Sequence, residues 1–328
     1  MDVSVIVPAY NAAATIGACL RALASQSLPG RSYEVIVVDD GSSDMTREIV
    51  TLFDVRLIEQ PHKGPAAARN RGVMETNGEI VLFTDADCEP TKDWIREMIA
   101  PFELLEVVGV KGAYRTRQRG IIPRFVQCEY EERYERMAKR RRIDFIDTYS
   151  AGYRREIFLR EKGFDVRYPS ASVEDQEFSF RLAERGYKMV FNPSAVVYHQ
   201  HPETLAAYFR RKFNIGYWKV LVLERHPGKA VRDSHTPQTL KWQLGVILLL
   251  IPMAALALLS RVTFPAVVGA FFFLVSVLPF TIKALLKDPL VGVVSPPLLF
   301  VRSVALILGV MKGCWDYLAY RMPATRDA

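Results

Sequence analysis

Acidic side chains alternate in one short stretch of the sequence, LFTDADCEP, which places Asp85, Asp87 and Glu89 two positions apart. On an extended strand such residues share one face, where the carboxylates repel each other unless a cation lies between them. A helix–loop–helix calcium site needs Gly and Glu at the positions held here by Pro90 and Arg96, so calcium of that kind is excluded. A divalent cation site and a solvated acidic turn are the two interpretations that remain.

Strands that end at acidic residues would position this chemistry. VSVIVPAY and YEVIVVDDGS predict buried parallel strands joined by a helix, and GEIVLFTDAD predicts a further strand. Strands alternate with helices over the first 90 residues, which is typical of a doubly wound α/β domain. Because such domains bind ligands at the carboxyl ends of their strands, Asp39, Asp40, Asp85 and Asp87 are expected to lie in one site.

Three apolar segments follow this domain. Residues 242–260 and 264–282 carry no charge, and each is close to the length of about 20 residues that crosses a bilayer core, so both are predicted to be membrane spans. A third segment, residues 296–318, is interrupted by Arg302 and Lys312. It either crosses the membrane or lies in the interface with both cations reaching the head groups.

The positive charge of the chain is concentrated rather than even. The formal net charge is +7, and residues 207–232 carry seven basic residues against one acid, immediately before the first apolar segment. Nucleic acid is one partner for such a patch, but its position favours attraction to anionic lipid on the cytoplasmic side. The four cysteines form no C-x-x-C pair and the chain opens with a strand pattern rather than a leader, so the polar domain is expected in the reducing cytosol.

Six motifs occur in order along the chain: VSVIVPAYNAAATIGACLRAL, VIVVDDGSSDMT, GPAAARNRG, LFTDADC, SVEDQEFSFRL and VVYHQH. Together they make residues 3–201 resemble the family 2 glycosyltransferases of the GT-A fold. The run YFRRKFNIGYWKVLVLERHPGK is similar to the membrane-anchored members that build exopolysaccharides and lipid-linked glycans. The resemblance implies an α/β, GT-A-like (Rossmann-like) doubly wound mixed sheet, followed by a C-terminal α-helical transmembrane region.

The resemblance also implies a site for a UDP- or GDP-linked sugar with Mn²⁺ or Mg²⁺ as cofactor. Asp87 would bind the cation and Asp85 the cation or the ribose, while His199, with His201 as the alternative, would supply a third ligand. The other residues implied to contact the nucleotide sugar are Pro8, Ala9, Tyr10, Asp39, Asp40 and Arg69. A hydrogen-bonded histidine, a helix cap in DDGSSD and a solvated arginine stay open as alternatives.

Inverting members of this family need a general base on the face of the sugar opposite the diphosphate. Asp175 in SVEDQEF matches that base, with Glu174 beside it, although S-x-E-D is also a helix-start signal. Processive members carry a Q-x-x-R-W motif that this sequence lacks, so a single transfer is expected. Arg210, Arg211 and Lys212 would bind a phosphate or a lipid, or would belong to a basic interfacial helix.

These features predict a membrane-anchored, metal-dependent, non-processive hexosyltransferase that passes a sugar to a lipid-linked acceptor, with no nucleic acid partner. It would be a multi-pass protein of the cell inner membrane, with its catalytic domain facing the cytosol. Residues 1–205 would form the catalytic domain, 206–238 a basic amphipathic interfacial segment and 239–320 the transmembrane helices. Two alternatives stay open: a polyprenyl-phosphate glycosyl synthase, whose ionised phosphate nucleophile needs no base, and an inactive GT-A membrane scaffold.

Overall fold

The computed structural model describes residues 2–168, 173–231, 233–260 and 264–319, which form two compact units. The ranges of the first unit are Met1–Arg117, Tyr134–Gln200 and Asp233–His235, and those of the second are Gln118–Arg133, His201–Arg232 and Thr236–Ala328. The chain therefore returns to the first unit twice.

One mixed sheet organises the first unit. Its strands in the described part of the chain are β1 Val3–Ala9, β2 Tyr33–Asp39, β3 Arg56–Glu59, β4 Ile80–Phe83, β5 Glu89–Pro90, β6 Val107–Arg115, β7 Ala151–Arg154 and β8 Lys188–Tyr198. They are arranged in the order β3-β2-β1-β4-β7-β6-β8-β5. The first four strands of this order are parallel, whereas β7 runs antiparallel to both β4 and β6. The parallel strands β1 and β2 are rich in Val and Ile because both faces of the sheet are covered there.

Helices cover the sheet of the first unit. They are α1 Ile16–Ala24, α2 Thr46–Val50, α3 Pro65–Met74, α4 Trp94–Ile99, α6 Arg155–Arg160 and α7 Glu174–Glu184, while α5 Ile121–Ala138 is divided between the two units. Helix α3 approaches β1 closely because Gly72 has no side chain: a Cβ there would lie 2.5 Å from Cγ2 of Ile6. Rings of Phe83, Phe158 and Phe178 pack together in the core beneath α6 and α7.

The second unit is helical. After part of α5 it contains α8 Leu205–Arg225, α9 Gly228–Val231, α10 Gln238–Ser260, α11 Phe264–Lys287 and α12 Pro289–Leu318. Two segments among the described residues, Val267–Lys287 and Pro289–Leu318, are long and apolar enough to cross a membrane by length and composition.

The predicted mixed α/β sheet followed by apolar C-terminal helices is confirmed, with one local difference. The strand expected over GEIVLFTDAD ends at Phe83, because the N–H of Cys88 bonds to the carbonyl of Asp85 at 3.0 Å and closes a turn. Asp85 and Asp87 therefore lie on a turn and not on one face of a strand. Part of the predicted span 242–260 falls on side chains outside the described residues, and the domain borders at 205 and 238 stay predictions.

Candidate active site

Three neighbouring strands bring acidic residues to one edge of the sheet. Strands β1, β2 and β4 lie side by side and parallel, and they end at Ala9, Asp39 and Phe83. Parallel strands present their carboxyl ends at the same edge, where α/β sheets bind ligands. The segments that follow these strands carry Tyr10, Asp40 and the acidic turn.

Asp39 carries a buried carboxylate oxygen that the described residues do not satisfy. Its Oδ2 accepts a hydrogen bond from the N–H of Ser42 at 3.1 Å, and Nε of Arg47 lies 4.0 Å from the same oxygen. Its Oδ1 has no hydrogen-bond partner in the part of the chain that the structure describes. Because an unsatisfied buried acceptor costs about 1–3 kcal/mol, Oδ1 is ready for an N–H donor of a ligand, such as a ring N–H of a nucleobase.

Asp40 has a different environment from its neighbour. Its carboxylate accepts hydrogen bonds from the N–H groups of Lys63 and Gly64, at 2.9 and 2.8 Å, and from Nε2 of Gln60 at 2.6 Å. These bonds hold the loop after β3, where Gly64 has φ of 89°. Asp40 thus organises the pocket wall, while Asp39 offers the available oxygen.

A stacked aromatic pair completes this part of the pocket. The half-exposed ring of Tyr10 lies 4.1 Å from the ring of His62. The ring nitrogen Nδ1 of His62 is 2.9 Å from Oδ2 of Asp40. His62 was not predicted, although its place directly after the strand next to β2 is a signal for it. Pro8 and Ala9 lie at the end of β1, where the carbonyl of Ala9 accepts the N–H of Asp40 at 2.8 Å.

Asp87 and His199 form a pair that fits a divalent cation. Nε2 of His199 lies 3.5 Å from Oδ2 of Asp87, and Sγ of Cys88 is within 4.8 Å of both side chains. A carboxylate oxygen suits both Mn²⁺ and Mg²⁺. The imidazole nitrogen favours Mn²⁺, since imidazole is a poor ligand for magnesium. Burial raises the pKa of the Cys88 thiol well above its ordinary value, so that the sulfur stays protonated and is a weak ligand. The side chain of Asp87 is 43% exposed, which leaves room for substrate oxygens around a cation.

Two other predicted metal ligands lie elsewhere. Oδ1 of Asp85 accepts a hydrogen bond from Arg69 at 2.7 Å and does not join the group around Asp87. His201 belongs to the second unit, where its Nε2 is 3.2 Å from Oε1 of Gln127. The structure therefore brings together Asp87 and His199 from the predicted set.

Arg69 connects the acidic turn to the start of α7. Its guanidinium is buried, and it donates to Oδ1 of Asp85 at 2.7 Å and to Oε1 of Glu174 at 3.1 Å. The two acids compensate the cost of burying the cation and raise the pKa of Arg69. One helix side chain thus fixes two motifs that are far apart in the sequence.

Asp175 stands beside this ion pair without taking part in it. Its side chain is half-buried and has no ion-pair partner among the described residues, whereas Glu174 is paired with Arg69. Burial and the charge of Glu174 raise the pKa of Asp175 to about 7, against the opposing effects of Arg69 and Lys111. A carboxylate that titrates near neutral pH is suited to accept a proton.

A buried lysine near Asp175 was not predicted as a site residue. Lys111 on β6 is 1% exposed and pairs with Asp147. Its Nζ lies 5.2 Å from the ring centre of Tyr149 and 5.7 Å from that of Phe145. The signal in the sequence is a single charge inside the apolar strand VVGVKGAYR, because a buried strand tolerates a cation only with a partner.

The predicted phosphate-binding residues lie on α8 in the second unit. Arg210 is exposed, and NH2 of Arg211 bonds to the hydroxyl of Tyr130 at 3.3 Å. Lys212 is buried, with its Nζ 3.0 Å from Oε2 of Glu129. The three residues therefore have three different environments.

The mixed sheet and its structural neighbours show the GT-A fold, and the family match and similar proteins indicate a glycosyltransferase. Residues 4–160 match the family described as Glycosyl transferase family 2, so this part of the chain resembles these glycosyltransferases.

Similar proteins agree with this class. Glycosyltransferase AglE of Haloferax volcanii is 28% identical over 232 residues, which are 67% of this chain and 73% of that protein. The probable glycosyltransferase YdaM of Bacillus subtilis is 31% identical over 227 residues, 64% of this chain and 53% of that protein, so the chain spans about half of its length. The solved structure of the mannosyltransferase PcManGT from Pyrobaculum calidifontis, in complex with GDP-Man and Mn²⁺, shares the fold at a TM-score of 0.62 and 23% identity, covering 96% of this chain and 87% of that one.

Proposed function

We propose that this chain is a membrane-anchored, metal-dependent, inverting glycosyltransferase that transfers a single sugar from a UDP- or GDP-linked donor to a lipid-linked acceptor. The observation that carries the proposal is that Arg69 joins Asp85, on the turn that also holds Asp87, to Glu174, the neighbour of Asp175. The side chain of Arg69 would thereby connect the cation-binding pair to the carboxylate that titrates near neutral pH.

The donor half of the site would bind the nucleotide and the diphosphate. Oδ1 of Asp39 accepts an N–H of the base, and the ring of Tyr10 stacks against the base. Asp85 contacts the ribose, and Arg69 holds Asp85 in place. Asp87 and His199 would hold a divalent cation, which would supply positive charge near the departing diphosphate. A relative solved with GDP-Man and Mn²⁺ supports Mn²⁺ as that cation.

The acceptor half of the site would move one proton. Asp175 accepts the proton of an acceptor hydroxyl as that oxygen forms a bond to the anomeric carbon, and the bond from this carbon to the diphosphate oxygen breaks on the opposite face. The configuration of the anomeric carbon is inverted. Burial and the charge of Glu174 raise the pKa of Asp175 to about 7, and Arg69 holds Glu174 beside it.

The acceptor would be presented at a membrane surface. The apolar helices α11 and α12 follow a basic helix, α8, whose exposed Arg210 and neighbouring Arg211 suit the phosphates of a lipid carrier or of lipid head groups. Lys212 is buried and paired with Glu129, so it would stabilise the helix and would not bind the phosphate itself. The positive charge next to the apolar segments supports a cytosolic position of the catalytic unit in a multi-pass protein of the inner membrane.

The donor half is tested with the purified full chain in detergent. Binding and slow hydrolysis of UDP- and GDP-sugars are measured with Mn²⁺, Mg²⁺ or EDTA for wild type, Asp87→Ala and Asp93→Ala. Asp93 is an exposed acid in the same segment that pairs with the exposed Arg96, so it is the matched control. We expect metal-dependent use of one donor that Asp87→Ala loses and Asp93→Ala keeps; use of a donor by Asp87→Ala with EDTA present contradicts the proposal.

The acceptor half is tested with Asp175→Asn. The amide cannot accept the proton, so transfer to a hydroxyl acceptor is expected to fall about 10²–10⁴-fold while donor binding is unchanged. Transfer that persists in this variant with a polyprenyl phosphate as acceptor identifies a phosphate nucleophile and replaces the hydroxyl mechanism. Donor binding without transfer to either acceptor in the wild type would support the inactive scaffold instead.

A further inference from the structure

The middle of the apolar helix α12 carries a buried charge. Nη1 of Arg302 donates to Oε1 of Glu129 at 2.8 Å, and its Nη2 donates to Oε1 of Gln243 at 2.5 Å. The other oxygen of Glu129 is 3.0 Å from Nζ of Lys212. Burial raises the pKa of Glu129, but Lys212 and Arg302 outweigh it and lower that pKa to about 2. Arg302 therefore contacts α5 and α10 and shares its partner with α8, and it does not face lipid.

Helix α8 begins and ends on the same side of any membrane. The chain leaves the first unit at Gln200, and Asp233–His235 belong to that unit again, where Ser234 and Asp144 exchange hydrogen bonds at 3.0 and 2.7 Å. Helix α8 has 21 residues, about 31 Å of helix, which is enough for a single crossing. The return over residues 226–232 reaches at most about 25 Å when fully extended, and the short helix α9 reduces that reach. If α8 crossed the membrane, residues 226–232 would be too short to bring the chain back to the first unit. Helix α8 therefore stays on one side of the membrane.

The second half of α12 is packed along α8 through glycines. A Cβ at Gly216 of α8 would overlap the carbonyl oxygen of Leu306, and a Cβ at Gly309 would overlap that of Phe213. One turn further, a Cβ at Gly313 would lie 2.5 Å from the carbonyl oxygen of Tyr217. The pairs advance together along both helices, so the helices are parallel, at the close approach that small residues allow. Because α8 does not cross a membrane, the part of α12 that is fixed to it does not cross one either.

The face of α12 away from α8 is apolar and exposed. Leu308, Met311, Trp315 and Leu318 are 40%, 53%, 65% and 75% exposed. Their spacing of three and four positions places them on one side of the helix, opposite the glycines. An exposed apolar stripe on a helix that packs along a basic helix is typical of an interfacial segment. Its tryptophan would lie at the level of the head groups.

We propose that α12 does not span the membrane: residues 302–318 lie on the bilayer surface beside α8, with the stripe from Leu308 to Leu318 inserted into the interface. The partner is a lipid surface, and the membrane is crossed by α10 and α11 as a hairpin. The end of α12 and the catalytic unit are then on the same side. This inference rests on the membrane attachment in the proposed function and is independent of sugar transfer.

Cysteine labelling of the full chain in membranes tests this topology. In a background with Cys128→Ala and Cys314→Ala, single cysteines are placed at Leu52, an exposed position of the first unit, at Thr263, between α10 and α11, and at Ala328. The buried Cys19 and Cys88 are retained. A membrane-impermeant maleimide is added to intact cells and to inverted vesicles. We expect Ala328→Cys to react from the same side as Leu52→Cys and Thr263→Cys to react from the other side.

Two results overturn the inference in different ways. If Ala328→Cys reacts from the side of Thr263→Cys, α12 crosses the membrane and the inference is wrong while attachment stands. If all three cysteines react from one side and carbonate releases the protein, the attachment itself is wrong, and sugar transfer is then judged by its own assays.

A second measurement tests the packing of α12 on α8 directly. Gly309→Val places a branched side chain against the α8 backbone, whereas Gly245→Val adds the same side chain on α10 where nothing described lies within 4 Å. Thermal unfolding in detergent is expected at a clearly lower temperature for Gly309→Val, with Gly245→Val close to wild type. Equal midpoints for the two variants would show that α12 is not held against α8, and the inference fails.

Discussion

From the raised pKa of Asp175 we predict how the rate of sugar transfer depends on pH. A general base works only when it is ionised, and kcat/KM reports the ionisation of the free enzyme. With a pKa of about 7, Asp175 is ionised to about one part in ten at pH 6 and one part in a hundred at pH 5. We therefore expect kcat/KM to fall about tenfold per pH unit below 7 and to level off above it.

The variant Glu174→Gln tests the cause of that shift. Burial contributes most to the raised pKa of Asp175, and the like charge of Glu174 contributes next. Removing this charge favours the ionised form of Asp175, so its pKa falls and the acidic limb of the profile moves to lower pH. Glu174 is already compensated by Arg69 at 3.1 Å and burial is the larger cause, so the acidic limb is expected to move by only part of the whole displacement.

The assay is the initial rate of transfer at low donor concentration, from pH 5 to pH 9, at constant ionic strength and saturating Mn²⁺. Glu177→Gln is the matched control, because Glu177 is a buried acid of the same helix that pairs with Arg181 at 2.9 Å. An acidic limb that stays in place in Glu174→Gln, or moves equally in Glu177→Gln, refutes the assignment of Asp175 as the base.

Three further outcomes follow from contacts in the two units. Asp39→Asn exchanges a buried acceptor for an amide and is expected to weaken the binding of UDP or GDP about tenfold by titration calorimetry, since one lost hydrogen bond is worth about 1–1.5 kcal/mol; unchanged affinity contradicts its contact with the base. His199→Ala is expected to weaken Mn²⁺ binding about 100-fold in a titration followed by electron paramagnetic resonance, and an unaltered titration excludes it as a ligand. Glu129→Gln leaves Arg302 and Lys212 buried without their anion, so a loss of about 3–5 kcal/mol is expected in chemical unfolding in detergent, whereas a neutral effect shows that the pairs are not buried in solution.

Local patterns in the sequence were sufficient for most of the sheet and its helices. The strand VSVIVPA was predicted close to its observed ends, because a buried parallel strand is a run of apolar residues. The end of β4 was predicted too late. The turn at Asp85 depends on one backbone hydrogen bond, which a pattern of residue types does not specify.

The arrangement of the site was less predictable than its residue types. Arg69 meets Asp85 across 16 positions and Glu174 across 105, and neither separation follows from the helix that carries it. Length and composition alone make α12 a candidate membrane span. They do not show that Arg302 bonds to a residue of α5 that is 173 positions away. Long-range pairs of this kind depend on how the elements pack, and the sequence of one element does not contain that information.

The buried guanidinium of Arg69 also limits how this protein can be modified. Under the proposed function the site has a donor half and an acceptor half, which an engineer could try to exchange separately. Here one side chain from α3 is the common support of both halves. A chimera that takes the acidic turn from one parent and the start of α7 from another keeps its geometry only if the α3 arginine and both acids are inherited as a set.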